Sequence, residues 1–236
     1  MTRIVELREG VLKKNDVLAR ELRVRFQDAR MLTVNLVSSP GTGKTAFLEK
    51  TLKRLMDAGH SAAALTGDVA TDNDAKRLAS SGAPVRQIET HGICHLDAEM
   101  VSKRIEGWDL KALEFLFIEN VGNLVCPSSY DLGEDMRVAM LSVTEGEDKP
   151  VKYPTLFNSA DVAVVTKIDL AEVCEFDRET ALASLEQIRP GIRVFETSAK
   201  TGSGLSEWLD FLVEAHTKRP REPELERTSY VPRSSR

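Results

Sequence analysis

The sequence contains few residues of several kinds, and each shortage excludes a class of protein. Only three of its 236 residues are cysteine, and they lie far apart, which excludes a disulfide-stabilised scaffold. Thiols used this sparingly suit a reducing cytoplasm, where they serve as core residues, metal ligands or nucleophiles. A net charge of −5 lacks the positive excess of a general nucleic-acid-binding surface. No nucleic-acid partner is therefore expected.

Long uncharged apolar runs are also missing. No run is long enough to span a membrane, and the opening MTRIVELREG carries charges where a signal peptide has an apolar core. We therefore expect a cytoplasmic protein without a membrane span. Apolar residues still make up 42% of the chain, which is enough for a full core.

The hydrophobic pattern divides the chain into three parts. Residues 1–30 are a helical extension: within 11–29, Leu18, Leu22 and Phe26 are spaced four apart, which predicts an amphipathic helix. This helix either packs on the main domain or serves as a dimer arm. Residues 31–217 form one domain, and the charged, proline-containing segment 218–236 is expected to be disordered.

Strands and helices alternate through the main domain. Strands are predicted at 31–37, 61–67, 84–89, 113–119, 137–144, 160–167 and 192–198. Helices are predicted at 44–60, 72–82, 96–106, 179–189 and 206–218. This alternation predicts an α/β fold with a doubly wound, mainly parallel sheet flanked by helices, preceded by the N-terminal helix.

A glycine-rich loop joins the first strand to the first helix of the domain. The stretch VNLVSSPGTGKT ends like the phosphate-binding loop of nucleotide-binding proteins, although Ser38 replaces its usual first glycine. Its glycines let backbone N–H groups turn toward phosphate oxygens, the lysine reaches the β- and γ-phosphates, and the last hydroxyl binds Mg²⁺. The predicted phosphate-binding residues are Gly41, Thr42, Gly43, Lys44 and Thr45.

Two further segments are candidates for contact with the γ-phosphate and magnesium. The strand LEFLFIE ends at Glu119, and Gly122 follows three residues later, as in the second phosphate-sensing motif of GTPases. At the end of the second strand, one of Asp68, Asp72 and Asp74 would orient the attacking water or bind magnesium. Asp72 also suits a helix cap, and Asp68 is favoured because a carboxylate at a strand end points into the crevice. The predicted catalytic residues are Lys44, Asp68, Glu119 and Gly122, and the predicted Mg²⁺ ligands are Thr45, Asp68 and Glu119.

Two later motifs indicate that the bound base is guanine. In TKID, the Asp169 carboxylate can accept both the ring N–H and the exocyclic amine of guanine, while the Lys167 stem packs along the ring. Thr166 stands where the usual motif has asparagine. About thirty residues later, SAK after a strand matches the loop whose backbone binds the guanine oxygen. The predicted residues of that loop are Ser198, Ala199 and Lys200.

In this order, the motifs resemble the HypB family, SIMIBI-class phosphate-loop GTPases that assist nickel insertion into NiFe hydrogenase. The resemblance covers roughly residues 11–217, and its most specific stretch is ENVGNLVCP. It implies hydrolysis of GTP to GDP and phosphate. It also implies a homodimer favoured by GTP and partners among hydrogenase-maturation proteins and the precursor of the hydrogenase large subunit. The serine at position 38 is normal in that family.

The resemblance also implies a metal site made of Cys94, His95 and Cys126. Two thiolates and an imidazole suit Ni²⁺ or Zn²⁺ better than Mg²⁺. Three ligands leave a fourth position for water, for Glu99 or for a second chain. Cys94 and His95 are predicted to open a helix, which would put Glu99 on the same face as His95. Cys174 lies far from these motifs and is predicted to be structural.

The cysteine at position 126 follows Gly122 by only four residues. We therefore expect the γ-phosphate state to alter the metal geometry or the dimer surface. Lys149 and Lys152, in EGEDKPVKYP, are candidates for reaching across a dimer interface, with solvated surface positions as the alternative.

Three other functions are possible from the residues. A phosphate-loop kinase would need a lid and an acceptor pocket, and TKID with SAK argues against it. A related GTPase of urease or cobalamin-enzyme maturation is less favoured, because the CH pair with ENVGNLVCP points to the hydrogenase branch. A non-catalytic, zinc-stabilised interaction module is disfavoured by the intact Lys44, Thr45 and Glu119.

Overall fold

The computed structural model describes the backbone of residues 2–68 and 73–219 and the side chains of residues 10–67 and 73–219. The helices are α1 (Thr2–Asp28), α2 (Lys44–Asp57), α3 (Asn73–Ala79), α4 (Ala98–Arg104), α5 (Lys149–Lys152), α6 (Pro154–Ser159), α7 (Arg178–Ile188) and α8 (Leu205–Thr217). The strands are β1 (Leu32–Ser38), β2 (Ala62–Asp68), β3 (Val85–Glu89), β4 (Phe115–Glu119), β5 (Met136–Ser142), β6 (Val162–Thr166) and β7 (Arg193–Glu196). Short 3₁₀ turns lie at Leu110–Ala112, Cys126–Ser129 and Ile168–Leu170.

The seven strands form one parallel sheet in the order β3-β2-β4-β1-β5-β6-β7. From the central β1 the chain first builds one edge and later the other, so the predicted doubly wound fold is confirmed. Glu119, the last residue of β4, lies opposite Leu36 of β1 and Thr66 of β2. Parallel strands place their carboxyl ends at one edge, where such folds bind ligands.

Alternating side chains of the strands supply the cores on the two sides of the sheet. On β4, Phe115 and Phe117 join a cluster with α2 and α8, whereas Leu116 and Ile118 join a cluster with α1 and α4. A third cluster joins β5 and β6 to α6 and α7. Burial on both faces explains why β4 is apolar from Phe115 to Ile118.

The part of α1 whose side chains are described packs on the main domain. This is the first of the two predicted arrangements, the other being a dimer arm. Ala19, Leu22 and Phe26 are buried against α4 and the sheet. The helix begins at Thr2, earlier than the apolar spacing predicted. None of the helices described, this long one included, has the length and apolarity needed to cross a membrane.

Several boundaries differ from the prediction for local reasons. Helix α4 begins at Ala98, two residues later than predicted, because Asp97 caps it by accepting the Met100 N–H at 2.8 Å. Helices α5 and α6 were not predicted, since they are short and carry proline in their first turns. At the other end, Arg219 pairs with Asp135 at 2.5 Å, and residues 220–236 of the predicted tail lie outside the described residues.

Candidate nucleotide and metal site

The predicted phosphate loop lies between β1 and α2, with Gly41 and Gly43 at φ values of 77° and 100°. These left-handed conformations explain why glycine occupies both positions. The loop is tied to the end of β6, because Thr166 Oγ1 donates to the Thr42 carbonyl at 2.6 Å and Lys167 Nζ donates to the Gly41 carbonyl at 2.7 Å. The threonine that departs from the usual motif thus joins the base-reading segment to the phosphate loop.

The described side chains predicted for γ-phosphate and magnesium lie together under this loop. Thr45 Oγ1 donates to Glu119 Oε1 at 2.6 Å, and Thr66 Oγ1 donates to Glu119 Oε2 at 3.2 Å. Lys44 Nζ donates to Ser38 Oγ at 2.9 Å, so the serine at the first loop position holds the lysine. Hydroxyl and carboxylate oxygens are hard donors, and this set fits Mg²⁺.

Burial opposes the charges of both ionisable groups in this cluster. It lowers the pKa of Lys44, while the nearby carboxylates of Glu119, Asp74 and Glu145 act in the opposite direction. Burial likewise raises the pKa of Glu119, against the hydrogen bond from Thr45 and the charge of Lys44. The two groups therefore depend on one another, and on any ligand that lies between them, to stay charged.

Glu145 is a site residue that the sequence motifs did not identify. Its carboxylate accepts hydrogen bonds from Ser39 Oγ, from Thr42 Oγ1 at 2.9 Å and from the Ser142 N–H at 2.9 Å, and Lys149 pairs with it at 3.4 Å. Burial acts to raise the pKa of Glu145, but these donors outweigh it and the pKa is lowered. An acid three residues beyond β5, at the carboxyl edge of the sheet, was the available sequence signal.

The lysine at position 149 is thus held within its own chain, and its side chain is only 19% exposed. Lys152 pairs with Asp148 at 2.6 Å and is 62% exposed. Lys152 therefore occupies a solvated surface position in this chain, which was one of the two predicted alternatives. A role for either across a dimer interface stays a prediction.

The predicted base-reading residues also converge. Ser198 Oγ donates to Asp169 Oδ1 at 2.6 Å, and the Thr201 N–H donates to the same hydroxyl at 3.1 Å. Lys167 adopts a left-handed conformation with φ of 58°, and its stem lies near Gly43. Of the other predicted residues in this loop, Ala199 is half-buried and Lys200 is exposed. Asp169 is therefore oriented by the SAK loop, as reading of a base edge requires.

The segment after Glu119 packs tightly against the phosphate loop. A side chain added at Gly122 would place its Cβ 3.0 Å from the Cα and N atoms of Pro40, so glycine is needed there for a close approach. Backbone assignment ends β2 at Asp68, but its side chain and the whole of Asp72 lie outside the described residues. The roles predicted for these two acids stay predictions.

The three predicted soft-metal ligands meet at the same edge of the sheet. The Sγ atoms of Cys94 and Cys126 are 3.0 Å apart, and Cys94 Sγ lies 3.9 Å from Nδ1 of His95. Among the described residues, these three form the one group whose possible ligand atoms all lie within 4.8 Å of one another. The thiols and the imidazole are suited in type and spacing to one Ni²⁺ or Zn²⁺ ion.

The side chains around this cluster set its local properties. The hydrogen bond to Cys126 raises the pKa of Cys94, and burial lowers the pKa of His95, which favours the neutral imidazole that a metal requires. The ring of Tyr130 stacks on that of His95, with centroids 3.9 Å apart. Asn123 Nδ2 donates to the Cys94 carbonyl at 3.2 Å. The motif analysis identified neither Tyr130 nor Asn123.

Two expectations about neighbouring residues were wrong. His95 precedes α4, so the argument that placed Glu99 on its face of the helix fails. Glu99 instead pairs with Lys14 at 2.9 Å and Lys103 at 2.7 Å, which lowers its pKa to about 2, and it is not part of the ligand group. Cys174 is exposed rather than packed in the core, so a structural role for its thiol finds no support.

Comparisons with known proteins agree with this geometry. A family model described as the CobW/HypB/UreG nucleotide-binding domain matches residues 32–196. The hydrogenase maturation factor HypB of Azotobacter chroococcum mcd 1 is 46% identical over 213 residues, covering 89% of this chain and 69% of that relative. The chain belongs to the HypB family.

Two solved HypB structures share its architecture. HypB from Helicobacter pylori, crystallised in complex with nickel, has a TM-score of 0.82 and 37% identity, covering 89% of this chain and 99% of that one. HypB from Archaeoglobus fulgidus has a TM-score of 0.80 and 38% identity, covering 86% and 99%. An LAO/AO transport system kinase, at 18% identity and a TM-score of 0.55, shares the fold alone. The predicted family and the phosphate-loop GTPase fold are thus confirmed.

Proposed function

We propose that this HypB-family chain is a GTP-hydrolysing metallochaperone that binds nickel, or zinc, and assists nickel insertion during maturation of NiFe hydrogenase. The observation that carries the proposal is the Cys94, His95 and Cys126 cluster, which lies on the segments that follow β3 and β4 at the carboxyl edge of the sheet. Soft donors suit a late transition metal, and a three-ligand group leaves one position open. An open position suits an ion that is cargo and must leave again.

The nucleotide part of the proposal assigns GTP and GDP to the phosphate and base residues. Asp169 would read guanine, with Lys167 along the ring and Ser198, Ala199 and Lys200 beside its oxygen. Lys44 and the Gly122 N–H would face the γ-phosphate, while Asp68 is the candidate for positioning water. Bound Mg²⁺ would supply charge neutralisation on the phosphates and would be held by Thr45, Glu119 and Asp68.

The cellular part of the proposal follows from the relatives named hydrogenase maturation factors. The partners would be other hydrogenase-maturation proteins and the precursor of the large subunit, met in the cytoplasm, where thiol ligands stay reduced. A homodimer favoured by GTP belongs to the same proposal.

A Ni²⁺ titration of the purified chain and three cysteine variants tests the metal role. Cys94→Ala and Cys126→Ala should each lose most of the affinity, about tenfold or more, because each removes one of two thiolates. Cys174→Ala is the matched control, since it removes an exposed thiol outside the cluster. Equal Ni²⁺ binding by Cys126→Ala and the parent chain would reject the metal role.

A further inference from the structure

Helix α1 contacts both segments that carry the metal ligands, and one of its side chains, Asn15, bonds to both at once. Asn15 Nδ2 donates to the Asp131 carbonyl at 2.9 Å, and Asn15 Oδ1 accepts the Ala98 N–H at 2.9 Å. Because one partner is a carbonyl and the other an N–H, the orientation of the amide is fixed. One carboxamide therefore joins the loop after Cys126 to the start of α4.

The position of Asn15 is one where an apolar residue is expected. In the described part of α1 the buried residues are Asn15, Ala19, Leu22 and Phe26, spaced four, three and four apart, and Asn15 is 5% exposed. That spacing is the core-facing stripe of an amphipathic helix. A buried polar side chain on such a stripe adds nothing that leucine would not add to packing, so its two hydrogen bonds are its contribution.

Both hydrogen bonds end close to the predicted ligands. Ala98 is three residues beyond His95 and begins α4, so its N–H is one that the helix leaves without an internal partner. Asp131 is five residues beyond Cys126, and the residue before it, Tyr130, stacks on the ring of His95. The carboxamide, the Tyr130 ring and the His95 ring thus connect the two ligand-bearing segments side by side.

The loop after Cys126 fits closely against α1 around this bridge. A side chain added at Gly133 would place its Cβ 2.8 Å from the Ala19 carbonyl oxygen, and Arg23 pairs with Asp131 at 2.7 Å. Asp131 also accepts the Gly133 N–H at 2.8 Å. The Asp131 carbonyl is therefore held at a fixed distance from the helix, and Asn15 passes that constraint to the start of α4.

We propose that Asn15 is a positioning residue for the metal site: by joining the Asp131 carbonyl to the Ala98 N–H, it sets how Cys126 and the Cys94–His95 pair face each other. The inference rests on the metal role proposed above. Asn15 acts through the backbone of the two segments and not as a ligand. Neighbours that orient metal ligands typically change affinity by about ten- to a hundredfold when they are removed.

The decisive variant is Asn15→Leu, because leucine suits the apolar stripe but leaves both backbone partners without a hydrogen bond. Lys14→Ala is the matched control. It removes an exposed α1–α4 ion pair, to Glu99, from the adjacent position of the same helix. Asn15→Asp is a second variant: it can still accept the Ala98 N–H but turns a carboxylate oxygen toward the Asp131 carbonyl.

The experiment titrates the full chain with Ni²⁺ alone and records the affinity, the thiolate-to-nickel absorption band, GDP affinity and the thermal midpoint. We expect Asn15→Leu to lose about tenfold or more in Ni²⁺ affinity and to change the band, with GDP affinity within about twofold of the parent. Lys14→Ala should match the parent in all four measurements. If Asn15→Leu does not fold, Asn15→Asp is expected to show the same loss.

Three results would count against the positioning role or the metal role beneath it. Parent-like Ni²⁺ affinity and spectrum in the folded Asn15 variant would overturn the positioning role. A parallel fall of Ni²⁺ affinity, GDP affinity and thermal midpoint would also overturn it, because that pattern indicates a structural role alone. Equal nickel binding by the parent and Cys126→Ala is a different failure, since it removes the metal role itself and not the bridge made by Asn15.

Discussion

At the scale of single residues, burial determines what the nucleotide site can do. Lys44 and Glu119 are each largely removed from water, at 8% and 3% exposure, and burial disfavours the charge of both. The field of each group acts against this effect of burial on the other. A phosphate beside the lysine and Mg²⁺ beside the carboxylate would stabilise the charged form of each side chain. Binding of either ligand is therefore expected to strengthen binding of the other.

The first prediction concerns base selection by Asp169. Asp169→Asn replaces an acceptor with a donor opposite the guanine amine, and loss of this charge-assisted pairing should weaken GTP and GDP binding by about 2–3 kcal/mol. The bond from Ser198 Oγ to Asp169 Oδ1 holds the carboxylate in the orientation that base reading requires. Equilibrium titration with a fluorescent GDP analogue measures the change.

An exposed acid near the same segment supplies the control for this variant. Glu172→Gln removes a similar charge from the surface and should leave GDP affinity unchanged. Equal competition by ATP and GTP for the unmodified chain, or parent-like GDP affinity in Asp169→Asn, would show that this carboxylate does not read guanine.

Residues with a motif could be predicted, and residues that act through tertiary contacts could not. The spacing of Lys44, Thr45 and Glu119 follows from the geometry of strand, loop and helix, and the structure brings these side chains together. Asn15 acts through partners that are distant in the sequence, so no local spacing marks it, and Glu145 is marked only by its place three residues beyond β5. Only the folded structure shows which polar side chains are buried beside the metal and nucleotide sites.

At the scale of elements, the segment after β4 is built to contact the phosphate loop. Gly122 touches the Pro40 backbone, and the Asn120 N–H donates to the Leu36 carbonyl of β1 at 3.1 Å. A segment attached at this edge responds to what the loop binds. The 3₁₀ turn that carries Cys126 begins only four residues beyond Gly122.

The second prediction tests this contact with Gly122→Ala. The added methyl group meets backbone atoms of Pro40 at 3.0 Å, so the segment must move away and carry its N–H off the γ-phosphate position. Loss of one such donor typically lowers turnover by about a hundredfold or more. GTP hydrolysis should fall accordingly, whereas GDP, which lacks that phosphate, should bind within about twofold of the parent.

Gly10→Ala is the matched glycine control, because a methyl group there meets nothing within 4 Å. Phosphate release and GDP titration on both variants give the comparison. Parent-like hydrolysis by Gly122→Ala would show that the segment does not contact the γ-phosphate. A fall in GDP affinity as large as the fall in hydrolysis would indicate damage to the loop instead.

The elements that could be predicted are those with a strong hydrophobic period. The strands predicted at 31–37 and 113–119 were recovered within two residues, because runs buried on both faces leave a continuous apolar pattern. Helices α5 and α6 span only four and six residues and lack a full apolar face. The order of strands in the sheet depends on contacts between distant segments, which periodicity does not encode.

At the scale of the whole molecule, polar contacts connect the nucleotide site to the metal site. Thr45 binds Glu119 at 2.6 Å, and the next residue, Asn120, accepts the Leu96 N–H at 3.1 Å with its Oδ1. Leu96 follows His95 directly. Both segments that carry the predicted metal ligands are therefore connected to the nucleotide site. Asn120 holds the segment of His95, and the continuous chain from Gly122 leads to Cys126.

The last prediction is that nucleotide and metal affinities are linked through Asn120. Ni²⁺ affinity should differ by about fivefold or more between the chain loaded with GDP and the chain loaded with a non-hydrolysable GTP analogue. Linkage requires Ni²⁺ to change the relative affinity for the two nucleotides by the same factor. Asn120→Ala removes the acceptor of the Leu96 N–H, so it should bring the ratio of the two Ni²⁺ affinities closer to one. It should also cost about 1–3 kcal/mol of unfolding free energy, because a buried donor loses its partner.

The ratio of the two Ni²⁺ affinities is the decisive measurement, because a general loosening of the structure lowers both affinities together. The control is Asn158→Ala, at an exposed asparagine of α6, which should leave the ratio unchanged. Equal Ni²⁺ affinity in both nucleotide states would leave the metal site standing without a switch, and a parent-like ratio in Asn120→Ala would assign the coupling to the chain between Gly122 and Cys126 alone.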